Sequence, residues 1–193
     1  MGKLVVTEFI SLDGVIEAPG GGEGYAHAGW SFKFNRGDEG DRFKYDELMA
    51  SDAQLLGRVT YQGFARAWPT MTDTGDFGEK MNSMPKYVAS RTLTAADATW
   101  TNSTVIGSDL AGQVAQIKGQ LSGDILVAGS AQLVRSLAEL DLVDEYRLMV
   151  FPIVLGSGKR LFADGSAHAV LRLVEHKPVG PDGVLILTYA PAR

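Results

Sequence analysis

The stretch DLAGQVAQIKGQLSGDILVAGSAQLVRSLAEL, Asp109 to Leu140, decides the fold. Leu110, Val114, Ile117 and Leu121 fall at i, i+4, i+7 and i+11, one face of a helix over Asp109–Ser122. Ser108 or Asp109 offers a side-chain acceptor to its first turn, and Gly123 ends it. Ile125–Ala128 reads as a buried strand that turns at Gly129-Ser130 into a second helix, Ala131–Leu140. A strand set between two helices points to a parallel sheet.

The same alternation extends outward. Lys3–Ile10 is an apolar, β-branched run suited to a strand buried on both faces. Ser11–Gly40 has no clear periodicity and carries eight glycines (14, 20, 21, 22, 24, 29, 37 and 40) with Pro19. Tyr25, Trp30, Phe32 and Phe34 lie within it, which favours a functional lid, mobile over Ala18–Ala28, over a solvated linker. A helix is predicted over Asp41–Ala50, a strand over Ala53–Leu56, and a helix over Val59–Trp68 stopped by Pro69. Met71–Met84 reads as a loop with one helical turn. Tyr87–Ala89, Thr104–Ile106 and Tyr146–Val154 read as strands, with a glycine turn over Leu155–Phe162. Val170–Val174 and Val184–Tyr189 form a final hairpin around Gly180–Gly183. The expectation is one domain over residues 1–193: a mostly parallel sheet covered on both faces, with a C-terminal antiparallel hairpin.

Composition removes several functions. There is no cysteine, so disulfides, thiolate metal sites and a cysteine nucleophile are excluded. The three histidines are far apart, and no metal site is expected. A net charge of −5 without a basic block argues against nucleic acid. No stretch has the roughly 18 to 20 apolar residues of a membrane span, and the N-terminus has no signal-peptide pattern. A soluble, cytoplasmic protein is expected.

Two strand-to-helix junctions carry the chemistry. Leu56 leads into Gly57-Arg58-Val59-Thr60, and Ala128 into Gly129-Ser130-Ala131. Free N–H groups and the helix dipole make such junctions anion sites, at the edge where parallel sheets bind ligands. The alternative is two tight turns. Arg58, and Arg91 after Ser90, stand just past strand ends, where a guanidinium grips a phosphate in two-point fashion. A 2′-phosphate is a natural target; a plain surface arginine is the alternative. Asp13 ends the first strand and Asp41 opens the next helix; either carboxylate could hydrogen-bond a heterocycle and aid its protonation. Equally, Asp13 could form a turn before Gly14 and Asp41 cap a helix. Gly156-Ser157-Gly158-Lys159 is no P-loop, because Ile153 stands where its first glycine belongs and Arg160 replaces the Ser or Thr. Neither a Gly-x-Gly-x-x-Gly opening nor a Gly-x-Ser-x-Gly elbow occurs.

Together these segments resemble the dihydrofolate reductase superfamily, and more closely the branch of the riboflavin-biosynthesis reductase domain. The likeness rests on Ile10-Ser-Leu-Asp-Gly14, Leu56-Gly-Arg-Val-Thr-Tyr61, Val88-Ala-Ser-Arg91, Val127-Ala-Gly-Ser-Ala131, Leu142-Val-Asp-Glu145 and Phe151-Pro-Ile-Val-Leu-Gly-Ser-Gly-Lys-Arg-Leu-Phe162, in that order. It implies a three-layer α/β/α reductase that uses NADPH. By resemblance, Gly57, Arg58, Val59 and Thr60 would hold phosphate groups, and Ala89, Ser90 and Arg91 the 2′-phosphate. Gly129, Ser130, Ala131 and Gln132 would form the second phosphate junction, where the family has a Gly-Gly pair, often cis. Phe9 and Ile16 would meet the nicotinamide amide, and Trp30 would be the lid tryptophan beside the substrate. Asp41 falls where folate reductases keep their substrate-binding acid, after a longer, glycine-richer lid. The implied substrate is a small pyrimidine- or pteridine-like heterocycle. A true dihydrofolate reductase, a nucleotide-binding protein without catalysis and an interaction subunit remain as alternatives, and Phe151-Pro152 leaves a homodimer open.

Overall fold

Strand β1 (Leu4–Ser11) is buried along nearly its whole length, as a strand with helices on both sides must be. The computed structural model describes residues 2–22 and 24–192. After β1, a long loop leads to α1 (Gly37–Met49), β2 (Ser51–Gly57), α2 (Arg58–Ala67), α3 (Gly75–Ser83), β3 (Lys86–Ala89) and β4 (Ser103–Ile106). There follow α4 (Leu110–Gln120), β5 (Asp124–Val127), α5 (Ala131–Glu139), β6 (Glu145–Phe151), β7 (Leu171–Val179) and β8 (Val184–Pro191). The sheet runs β4-β3-β2-β5-β1-β6-β8-β7. The first six strands in that row are mutually parallel, and β8 lies antiparallel to both β6 and β7. The predicted α/β class, parallel core and C-terminal antiparallel hairpin are all present.

Alternation along β1 assigns the layers, because successive side chains point to opposite faces. Leu4, Val6 and Ile10 pack with Ile125, Val127, Leu133, Leu137, Val114 and Ile117 under α4 and α5. Val5 packs on the other face with Leu48, Leu56, Tyr61, Met81 and Trp100, from α1, β2, α2, α3 and the loop before β4. Beside it, Phe9 joins Trp30, Met149, Phe151, Val184 and Ile186. No helix among the described residues is long and apolar enough to cross a membrane.

The largest boundary differences from the sequence expectation are in three places. Helix α1 begins at Gly37, so Asp41 lies inside it and Arg36 holds the cap position. Met71–Met84 contains the helix α3, whose inner face is only Gly78 and Met81. Strand β7 runs on to Val179, well past Val174.

Candidate active site at the carboxyl edge

The helices α2 and α5 start side by side. Gly57 N–H donates to the Gly129 carbonyl at 3.2 Å, joining the end of β2 to the turn after β5. The Gly129–Ser130 peptide is cis, and Gly129 has φ 92°. Each junction fits into the other: a Cβ on Gly57 would stand 2.4 Å from Ser130 Oγ, and one on Gly129 would stand 2.9 Å from Thr60 Oγ1. The cap positions, Gly57 and Ser130, provide no side-chain acceptor to either helix. The first-turn N–H groups of Arg58, Val59, Thr60, Ala131 and Gln132 therefore have no partner from a capping side chain. Two positive helix ends meet at one edge, a donor set suited to phosphate.

Arg58 and Arg91 are exposed near this edge. The Arg58 guanidinium donates to Gln62 at 3.1 Å. Ser90 N–H donates to the Ile106 carbonyl, while its hydroxyl accepts from the N–H groups of Thr92 and Leu93 at 3.2 and 2.9 Å. That turn carries Arg91 just past Ala89, the last residue of β3. A nicotinamide dinucleotide fits these groups: helix ends for its bridging phosphates and guanidiniums for a further one.

Asp13 is embedded in backbone. It accepts from Ser11 Oγ at 2.7 Å, Leu155 N–H at 3.1 Å and Gly156 N–H at 2.8 Å. The Ser11 hydrogen bond contributes most, and with both N–H groups it outweighs burial and lowers the carboxyl from its ordinary 3.8 to about 2. Arg160 Nε donates to the Asp13 carbonyl at 2.9 Å, and Val15 pairs with Arg160 across a short bridge. The carboxylate thus pins the loop after β1 to the loop after β6.

The expected lid is fastened to the same turn. Tyr25 donates its hydroxyl to the Ser157 carbonyl at 2.6 Å, and Lys159 pairs with Glu17 at 2.5 Å. Burial alone would raise Glu17, but Lys159 outweighs it and lowers the carboxyl. Trp30 is fully buried; its Nε1 donates to the Glu17 carbonyl at 2.8 Å and its ring stands edge-on to Phe151. It offers no surface to a substrate and belongs to the core. Ile16 N–H is already used by the Lys159 carbonyl.

Asp41 also differs from its expected setting. Its side chain is 66% exposed and its carboxylate takes Arg36 Nε at 2.5 Å. Cations occupy the inner side of α1: Arg36 lies 5.1 Å and Lys44 5.6 Å from the centre of the Phe9 ring. Lys44 donates to Thr7 Oγ1 at 2.6 Å and to the buried Glu47, which also accepts from Thr7 at 2.8 Å. Behind Glu47 stands Arg147, paired with Asp124 at 2.8 Å and Glu145 at 2.6 Å. A groove of about 450 Å³ along α1 and α3 is lined by Arg36, Asp38, Asp41, Arg42, Lys44, Tyr45 and Phe77. The sequence reading did not single out Arg36, Lys44 or Glu47. Their positions, at spacings of eight and three along one helix, are the signal that was available.

The RibD C-terminal domain model matches residues 2–185. The chain belongs to this family. The match to the RibD C-terminal domain runs from β1 through β7. The Bacillus subtilis (strain 168) uncharacterized protein YyaP is 28% identical over 190 residues, 97% of this chain and 94% of that one. A Shewanella sp. PV-4 structure, named as a riboflavin biosynthesis protein, superposes with TM-score 0.78 at 21% identity, covering all of both chains. Dihydrofolate reductase from Enterococcus faecalis, solved with NADP(H), gives 0.61 at 16% identity over 100% of this chain and 98% of that one. A Thermotoga maritima deaminase and 5-amino-6-(5-phosphoribosylamino)uracil reductase gives 0.63 at 14% identity, over 99% of this chain and 57% of that one. These structures share the fold of the RibD C-terminal domain described here.

Proposed function

We propose that this RibD C-terminal domain is an NADPH-dependent reductase acting on a small, polar, pyrimidine- or pteridine-like compound. The observation that carries the reading is the pair of uncapped helix starts locked together by Gly57 and Gly129, with Arg58 and Arg91 close by. NADPH supplies a hydride equivalent when bound. The protein's share is to hold the dinucleotide and to orient the acceptor under the Phe9 end of α1. Arg58 and Arg91 favour NADPH over NADH through the 2′-phosphate.

Asp13 has a supporting role in this reading. A carboxylate lowered to about 2 and already accepting three hydrogen bonds is a poor proton donor at neutral pH. It keeps the turn after β6 in place against β1. Asp41 holds Arg36, and Trp30 fixes the base of the glycine-rich loop. The reductases similar in fold include one named for a phosphoribosylaminouracil and one for dihydrofolate. Three cations, Arg36, Arg42 and Lys44, line the groove beside Asp38 and Asp41, and the phosphate of the former would meet Arg36 there.

The test is NADPH oxidation with 5-amino-6-(5-phosphoribosylamino)uracil, dihydrofolate and small cyclic imines, each at saturating NADPH. Turnover of a pyrimidine or imine well above dihydrofolate supports the reading. Tight NADPH binding with no turnover of any of them would leave a nucleotide-binding protein in its place.

A further inference from the structure

The cleft-facing side of α1 presents an ammonium to the groove; Asp38 stands exposed among the lining residues, and the other nearby carboxylates are already engaged. Asp13 is tied into the turn after β6, Asp41 faces solvent with Arg36, and Glu47 is buried beneath Lys44. Lys44 is held on two sides, by Thr7 Oγ1 and by Glu47. An ammonium has three N–H groups. Its side chain keeps 19% of its exposure and lines the groove next to Arg36, so the third N–H has a way out.

We propose that Lys44 is the proton donor of the reaction, a proposal that rests on the reductase reading above. The charged groups around it are Glu47 and Arg36 beside it, Arg147 behind Glu47 from β6, and Asp38, Asp41 and Arg42 along the same groove. Glu47 and Thr7 fix the ammonium in position, and the Phe9 ring supports it from β1. In the acceptor, the carbon of a C=N or C=O bond would take the hydride that a bound NADPH supplies. The π pair of that bond moves onto the nitrogen or oxygen and forms a new bond to hydrogen there. That hydrogen leaves Lys44 as a proton when its N–H bond breaks, and the amine regains a proton from water.

Arginine separates donation from mere charge. Lys44→Arg keeps a cation within reach of Glu47 and Thr7, but a guanidinium does not give up its proton in proteins. Kinetics of wild type, Lys44→Arg and Lys44→Gln are compared on 5-amino-6-(5-phosphoribosylamino)uracil and dihydrofolate. The expected result is a kcat loss of about 10²-fold or more in both variants, within the usual range for general acid–base catalysis. KM for NADPH stays close to wild type in both variants. A second readout needs no turnover: Lys44 is acetylated with acetic anhydride in cofactor-free protein and quantified by mass spectrometry against the exposed Lys33. The preferred compound slows acetylation of Lys44 and leaves Lys33 unaffected. An active wild type whose Lys44→Arg form keeps kcat within about threefold overturns the proposal alone. Equal acetylation of Lys44 with and without the compound does the same. A wild type that reduces neither compound defeats the reductase reading together with the donor it would need.

Discussion

Ser130 Oγ lies 2.4 Å from where a Cβ on Gly57 would stand, and Ser130 Cβ and N both lie at 3.1 Å. Gly57 has φ −72° and ψ 154°, which any residue adopts, so the constraint there is contact and not backbone conformation. The end of β2 and the turn after β5 are packed to one another atom by atom.

The first prediction follows from that contact. Gly57→Ala drives a methyl into Ser130 and separates the two helix starts. It should destabilise the fold by about 1–3 kcal/mol, as overpacking does, and weaken NADPH binding. Gly57→Ala with Ser130→Gly removes Oγ and Cβ and should recover part of both losses. Thermal melts and NADPH titrations of the two variants check this; no recovery in the double variant would place the clash elsewhere.

A second prediction concerns acid. The Asp13 carboxyl is at about 2 in the folded chain, below its ordinary 3.8. A group depressed on folding stabilises fully above its unfolded value and loses that contribution as pH falls through its folded value. Asp13→Asn should therefore lower Tm near neutral pH, and the gap from wild type should close between about pH 4 and pH 2. A gap that persists unchanged down to pH 2 would mean that the hydrogen bonds from Ser11, Leu155 and Gly156 do not favour the ionised form.

The long loop supplies a third. Tyr25 is its clasp on the turn at Ser157, and the glycine tip before it is exposed. Tyr25→Phe should raise hydrogen exchange over residues 24–29 and cost about 0.5–1.5 kcal/mol at most, the worth of one hydrogen bond. Trp30, buried against Phe151, should keep its protection. Equal rises at both places would show that the loop opens as one body.

The architecture was legible because it is written in local periodicity. Leu110, Val114 and Ile117 show one helical face, and the run Leu4–Ile10 shows a strand enclosed on both sides. Asp109 accepts from Gly112 N–H as a cap should. Helix α3 was not legible, because a helix carrying Gly75 and Gly78 and burying only Gly78 and Met81 leaves no apolar stripe. Asp13 was visible as a turn residue, but its partners Leu155 and Gly156 lie more than a hundred positions away. The pairing of Lys44 with Thr7, and of Glu47 with Arg147, likewise depends on how α1 lies across β1 and β6. Trp30 shows the limit of resemblance: its place beside a substrate was implied, and it is buried against Phe151 instead.

In the proposed function, the edge built by Gly57, Gly129, Arg58 and Arg91 holds NADPH. The most direct test is titration of NADPH and NADH into the wild type and into Arg58→Ala with Arg91→Ala. Loss of a charge-assisted contact costs about 1.5–3 kcal/mol, which is roughly ten- to a hundred-fold in affinity. The wild type should bind NADPH tighter than NADH by such a factor, and the double variant should bind both alike. Equal affinity of the wild type for the two cofactors, or a preference that survives the loss of both arginines, would contradict it.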